Sequence, residues 1–411
     1  TFQPTGTPEC NKSSRSFADD WNGPYMGFDE AQLVVLGHEL KEMASYPKGQ
    51  HYERWLRKDG LGEKKLELYG SKLAPDVGAI QTWNSALPVN WHHSSWIGDR
   101  VINYLSKQND EAPFCLWASF SDPHLPFDCP EPWSRLHHPD EVDLPPFRTR
   151  ELDKRPWWHR AYVEDKSVDP EMDVAIYNHE KSLNRLPKRN GRARNYNDSE
   201  EQLRHTISNY YGMISLIDHN IGRITTTLDD LGLSENTIIL FTSDHGDWLG
   251  DHGMMLKGPM FYEGLLRVAM ILKGPGIPEN NICNYPVANS DMAATILDYA
   301  EISPTYYMHN RSLRTLIERE DSSRDFAYGE WNLNPDHWGI DLKLRVVRTT
   351  RYKLTLEINS GAGELYDLQE DPYETTNLFE QAGAIRKELE DMIRARPNDE
   401  LLDPLKPSGV H

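Results

Sequence analysis

The stretch Thr242–Gly258, TSDHGDWLGDHGMMLKG, sets two Asp-His-Gly clusters and a lysine directly after the apolar run NTIILF. A carboxylate and an imidazole are donors that a divalent cation accepts. Asp244 and His245 stand where the run ends, and Gly246 lets the chain turn away. In an open α/β sheet, ligands bind beyond the carboxyl ends of the strands, so this pair is placed for metal ligation. A bare Asp-His-Gly is a weak signal, and a turn whose Asp caps the next helix fits it too. Lys257, between Leu256 and Gly258, offers a charge to an anion above such a metal, although an ordinary surface lysine is the plainer reading. His124, in SDPHLPF, closes another apolar run and falls on the same sheet edge; alone it reads as a loop histidine. Taken together, a metal pair, a cation and a donor are what holding a tetrahedral oxyanion requires. Asp251 and His252, between the pair and the lysine, read as loop structure rather than ligands.

The elements that must position these residues read as α/β. APFCLWASF (112–120), TIILFTSD (237–244) and LLRVAMILKGPG (265–276) are short apolar runs that end in polar or Gly-rich loops. Between them lie amphipathic helical patterns over 95–107 and 207–232. The alternation predicts a largely parallel sheet with helices on both faces. Residues 128 to 200, rich in Pro, charge and aromatics, read as a long excursion from that sheet. Two tryptophan groups, RPWWHR (155–160) and PDHWGI (335–340), suit either ordinary packing or a pocket for an aromatic or sugar group. After residue 320, LRVVRTTRYKLTLEI and GELYDL predict strands about a Gly-rich turn, and 380–397 a closing amphipathic helix. The expected organisation is a large α/β domain over 1–320 and a smaller α+β domain over 321–411.

The 411 residues carry 44 Lys and Arg against 64 Asp and Glu, a formal charge of −20 that disfavours nucleic acid and anionic membrane as partners. A small anionic substrate remains compatible, because a local field can oppose the net charge. No apolar run reaches the length of a membrane span. Cys10, Cys115, Cys129 and Cys283 form no C-x-x-C pattern, which argues against a zinc knuckle or redox motif. Cys115 reads as a small packed hydrophobe, while Cys10 and Cys129 read as loop residues that a disulfide could join. Compartment leans to the cytoplasm, with a periplasmic or secreted location left open, and a homo-oligomer is compatible with the sequence.

The segment NTIILFTSDHGDWLGDHGMMLKG resembles the late metal-binding motif of sulfatases and phosphonate monoester hydrolases, in the alkaline phosphatase superfamily. FSDPHLPF, YYGMISLIDHNIGRI, SDMAATILDYAEI and RTTRYKLTLEI with GELYDLQEDPYETTNL agree with further segments of that family, in the right order. The resemblance implies an alkaline-phosphatase-like sandwich, a mostly parallel sheet between helices. It implies that Asp244 and His245 ligate one divalent metal, calcium in sulfatases or manganese in phosphonate hydrolases. It places Lys257 against the nucleophile and the substrate oxyanion, and His124 against the sulfate or phosphate group. Arg351, Tyr352 and Lys353 match a C-terminal structural signature. The activity implied is hydrolysis of a small anionic ester, an arylsulfatase-like sulfate ester cleavage, with phosphonate monoester or phosphodiester hydrolysis as the alternative.

The family's opening elements find no match here: the Asp pair, the C-x-P-x-R or S-x-P-x-R nucleophile segment and Gly-Lys-x-His. ECNKSSR lacks the proline and has the wrong spacing, and CPEPWSR falls in the wrong order. TFQPTG resembles the continuation after Gly-Lys-x-His. The expectation is that the formylglycine nucleophile and the remaining metal ligands belong to a segment upstream of Thr1, and that the chain alone is inactive. A two-polypeptide enzyme and a non-catalytic remnant or assembly subunit are the other two readings.

Overall fold

The structure is a computed structural model that describes residues 17–34, 51–108, 112–164, 199–304, 308–319, 324–333 and 341–396. They form two compact units: 17–144 with 199–235, and 145–164 with 236–396. Strands and helices mix throughout, and the class is α/β. Among the described residues no helix is long and apolar enough to cross a membrane.

The first unit holds a three-stranded sheet of β1 (Lys72–Leu73), β2 (Thr82–Ser85) and β3 (Phe127–Pro130), in that order. β1 and β2 pair antiparallel; β2 and β3 pair parallel, with Thr82 opposite Phe127 and Ser85 opposite Pro130. Parallel neighbours need a crossover, and the chain between them carries the helix His93–Leu105. That helix buries Trp96, Ile97, Val101 and Leu105, the stripe its 3.6-residue period predicts. The long helix Glu200–Asp230 opens on a capping box, in which Gln202 N donates to Ser199 Oγ at 3.2 Å and Ser199 N to Gln202 Oε1 at 2.8 Å. Its buried face carries Leu203, Ile207, Met213 and Leu216. Asn209 Nδ2, donating to Phe127 O at 3.1 Å, ties the helix to β3. Gly212 permits the contact, since a Cβ there would run into Trp133 O and Cys129 Sγ.

Three expectations change in this unit. Residues 112–120 join no ladder among the described residues, and Trp117 is 74% exposed. An apolar run becomes a strand only where an edge pairs with it. Cys115 is accordingly exposed rather than packed, and Cys129 is a buried residue of β3 rather than a loop residue. Cys10 lies outside the described residues.

In the second unit β4 (Ile239–Thr242) and β5 (Met270–Lys273) pair antiparallel, Ile239 opposite Lys273 and Thr242 opposite Met270. Parallel pairing is thus met at β2–β3 and not here. The run 265–276 divides, its start completing the short helix Glu263–Leu266 before β5 begins. Helix Asp291–Tyr299 follows.

β6 (Phe326–Leu333), β7 (Leu342–Thr349), β8 (Tyr352–Glu357) and β9 (Gly363–Asp367) form an antiparallel meander. Helix Gly383–Arg394 covers it, with Leu389 and Ile393 packed on Val347, Leu354, Leu365 and Phe379. The run 344–358 is therefore two strands joined at Arg351. Trp158 is fully buried with Phe261, Leu333, Leu342 and Leu344, so it packs rather than lines a pocket. The PDHWGI tryptophan falls outside the described residues.

Candidate active site

β4 delivers Ser243, Asp244 and His245 at its carboxyl end. His245 Nδ1 lies 2.7 Å from Gly246 O. A carbonyl only accepts, so Nδ1 carries the proton and Nε2 the lone pair. Asp244 Oδ2 is 3.4 Å from that Nε2. Two cis ligands at ~2.1–2.3 Å from one ion stand roughly 3.0–3.3 Å apart, so the pair suits a shared divalent cation. The Asp244 side chain is 83% exposed, open to an incoming ion. A ring locked through its other nitrogen is the usual condition of a ligating histidine.

Lys257 Nζ donates to the same His245 Nε2 at 2.9 Å. Burial pushes its ammonium below the ordinary value, while Asp244 and Asp247 push it back up. The loop that returns Lys257 to His245 is closed by Asp247. Its Oδ1 accepts from Leu249 N at 2.9 Å and Leu256 N at 2.8 Å. Burial raises that carboxyl, against the two amides and the nearby His245 and Lys257. Trp248 N to Leu256 O, 3.1 Å, and Gly250 N to Met254 O, 2.7 Å, complete the closure.

Inside the loop His252 is buried, stacked on Tyr262 at 3.6 Å and edge-on to Phe147 at 5.0 Å. Burial, with Arg155 adding to it, pushes this imidazole down to about 3. Its place is packing.

Two further residues hold the strand end. Asn289 Nδ2 donates to Ser243 O at 2.7 Å while its Oδ1 accepts from Thr242 Oγ1 at 2.9 Å. Gly246 N donates to Leu265 O at 2.8 Å, and a Cβ on Gly246 would collide with Gly264 O. The short helix carrying Gly264 is itself anchored. Glu263 N donates to Glu374 Oε2 at 2.7 Å, and the Glu263 carboxylate pairs with Lys353 at 3.2 Å and Arg348 at 3.1 Å. Lys353 is buried and also pairs with Glu374. Arg351 binds Asp367 through two nitrogens, Nε at 3.0 Å and Nη2 at 2.7 Å. The C-terminal signature thereby braces the turn beneath His245.

The structure brings Asp244, His245 and Lys257 together. His124 belongs to the other unit, exposed on the loop before β3, with Nδ1 2.7 Å from Leu125 O and its own N donating to Ser121 O at 3.0 Å. Asn289 and Asp247 escaped the sequence reading. Asp247 was visible as the acid after Gly246, but nothing in its type tells a loop staple from a solvated carboxylate.

The chain belongs to the sulfatase family, whose profile matches residues 81–302, more than half of it. Residues 250–398 match a second family, N-sulphoglucosamine sulphohydrolase, C-terminal. The chain is 29% identical over 295 residues to an arylsulfatase of Clostridium perfringens, covering 71% of this chain and 54% of that protein. It is 26% identical over 295 residues to a choline-sulfatase of Rhizobium meliloti, covering 70% of this chain and 51% of that one. The chain thus spans about half the length of these curated relatives. Among solved structures, the phosphonate monoester hydrolase of Agrobacterium radiobacter superposes with a TM-score of 0.68 at 25% identity, over 90% of this chain and 71% of the other.

Proposed function

We propose that this chain carries the metal and anion half of a sulfuric ester hydrolase acting on a small anionic ester. The observation that carries the reading is the convergence on one imidazole nitrogen. His245 Nε2 has a carboxylate oxygen 3.4 Å away and an ammonium 2.9 Å away, with its other nitrogen locked. Asp244 Oδ2 and His245 Nε2 would hold the divalent ion, calcium or manganese. The ion, when bound, supplies positive charge against the negative charge that develops on the ester oxygens. Lys257 supplies a second positive charge beside it, and Asp247 fixes the loop that keeps Nζ there. With Nδ1 on Leu125 O, His124 would meet an anion through Nε2. No nucleophile is assigned among this chain's residues; in the sulfatase reading it is a formylglycine.

The likeness to the Agrobacterium radiobacter phosphonate monoester hydrolase supports a second reading, phosphonate monoester hydrolysis on the same scaffold. Both ester classes present a tetrahedral anion, so these ligands alone do not rank them. The test is the metal content and turnover of the full-length gene product with 4-nitrophenyl sulfate beside a phenyl phosphonate monoester. Stoichiometric calcium or manganese, lost in D244N/H245Q, with faster sulfate ester hydrolysis is expected. Faster phosphonate hydrolysis selects the second reading. Absence of metal and of both activities overturns the proposal.

A further inference from the structure

The first unit contains a second group of metal-ligand side chains, on elements other than β4. His92, His93 and Asp122 each offer a ligand atom, these atoms lie within 4.8 Å of one another, and all three residues are buried. His93 Nε2 is 3.0 Å from Asp122 Oδ1, and His92 Nδ1 is 3.8 Å from Asp122 Oδ2. The Ser94 hydroxyl also donates to Asp122 Oδ2. His92 sits at the N-cap of the helix His93–Leu105, where its Nδ1 accepts from Ser94 N at 3.3 Å.

Further buried carboxylates act on the same neighbourhood. Glu53, Asp122 and Asp128 are all buried. All three act on the Tyr52 hydroxyl, which is pushed well up, by burial first and then by Glu53, Asp128 and Asp122. Lys65 is buried as well, but its ammonium is committed to Asp59 at 2.7 Å and Leu56 O at 2.9 Å. Buried carboxylates favour positive charge close by. A divalent cation supplies it with neutral imidazoles acting as ligands. The helix N-terminus opposes a cation by about 1 kcal/mol, which is small beside the field of three buried carboxylates.

We propose that His92, His93 and Asp122 form a binding site for a divalent first-row transition metal, with zinc as the best-matched ion. Two imidazoles and one carboxylate favour such an ion over calcium, which takes oxygen donors. The site is structural: its residues are closed to solvent, and it fixes the carboxylate two residues before His124. It is independent of an ion at Asp244 and His245.

The test uses the full-length D244N/H245Q variant, stripped with EDTA, dialysed and titrated with Co2+. One equivalent is expected to bind, with ligand-field absorption from imidazole coordination and a higher thermal midpoint. No binding overturns the proposal. Adding H92Q/H93Q should abolish that equivalent, and a folded quadruple variant that still binds it overturns the proposal. Should that variant fail to fold, zinc X-ray absorption of the D244N/H245Q protein decides. Two imidazole ligands with an oxygen donor are expected, and a shell with one imidazole or none refutes the site.

Discussion

Lys257 Nζ stands 2.9 Å from His245 Nε2, on the lone pair that the Nδ1 bond to Gly246 O leaves available. The ammonium therefore occupies the direction from which a cation would approach the ring. In the proposed function a bound cation and this ammonium would compete for one nitrogen and act together towards an anion. Residues 246–256 fold back on themselves to produce this juxtaposition, through Asp247 and the backbone bonds of Trp248 and Gly250.

That relationship gives Lys257→Ala an unusual signature. Turnover of an aryl sulfate should fall by about 10²–10³-fold, the usual cost of losing one charge-stabilising donor. Metal affinity, read by calorimetry with Ca2+ or Mn2+, should hold or rise, because a competing positive charge is gone. Unfolding free energy should change by less than about 1 kcal/mol, since a half-exposed contact contributes little. Parallel loss of metal and turnover would show that Lys257 only holds the loop.

Gly246 is constrained from the other side. Its amide bonds to Leu265 O, and the space for a Cβ is filled by Gly264 O, which belongs to a helix braced by Glu374, Lys353 and Arg348. The braced carbonyl cannot retreat cheaply. Gly246→Ala should cost at least about 2 kcal/mol in urea unfolding and displace His245. A variant as stable as the parent would mean that the helix yields.

Much of this was legible in the sequence and some was not. Asp244, His245 and Lys257 were singled out by residue type after an apolar run, a weak signal in each alone that gained from their clustering, and the structure brings the three together. The helix 200–230 was legible from Ile207 onward, but its start was lost in a charged stretch, although Ser199 and Gln202 form the capping box. Residues 112–120 misled because apolar composition does not reveal whether a pairing edge exists. β3 was missed because FDCP carries an acid and a proline, residues that ordinarily argue against a strand. Asn289 was invisible because its function is a pair of contacts 46 and 47 residues away in sequence. The His92, His93 and Asp122 group was missed because its third member lies on another loop.

Asn289→Ala removes one donor to Ser243 O and one acceptor from Thr242 Oγ1. The strand end loosens, with a stability loss of about 1–3 kcal/mol. Metal affinity at Asp244 and His245 should drop about 10-fold or more, the scale of residues that orient ligands. Asn289→Asp should be no better, because a carboxylate cannot donate to Ser243 O. Titration calorimetry on both variants checks this, and an unchanged affinity in Asn289→Asp would remove Asn289 from the support of the site.

His252 sets an acid sensitivity that can be isolated. The folded protein holds this imidazole neutral, down to about 3, through burial and the Arg155 charge, whereas an unfolded histidine titrates near 6.5. The unfolded chain therefore takes up the proton first as pH falls. The contribution is fully present above about pH 6.5 and is lost progressively towards pH 3, at about 1 kcal/mol per pH unit below pH 6. Glu374, raised to about 7 by burial against the Lys353 charge, acts with the opposite sign, since its neutral folded form gains stability as pH falls from about 7 to 4.5. The difference between proteins isolates the histidine. His252→Phe keeps a ring against Tyr262 and removes the titration. Urea unfolding at pH 7.5, 6 and 5 should show the parent losing stability relative to His252→Phe by about 1 kcal/mol per unit between pH 6 and 5. Parallel pH dependences would mean that the folded protein protonates His252 as readily as the unfolded chain does.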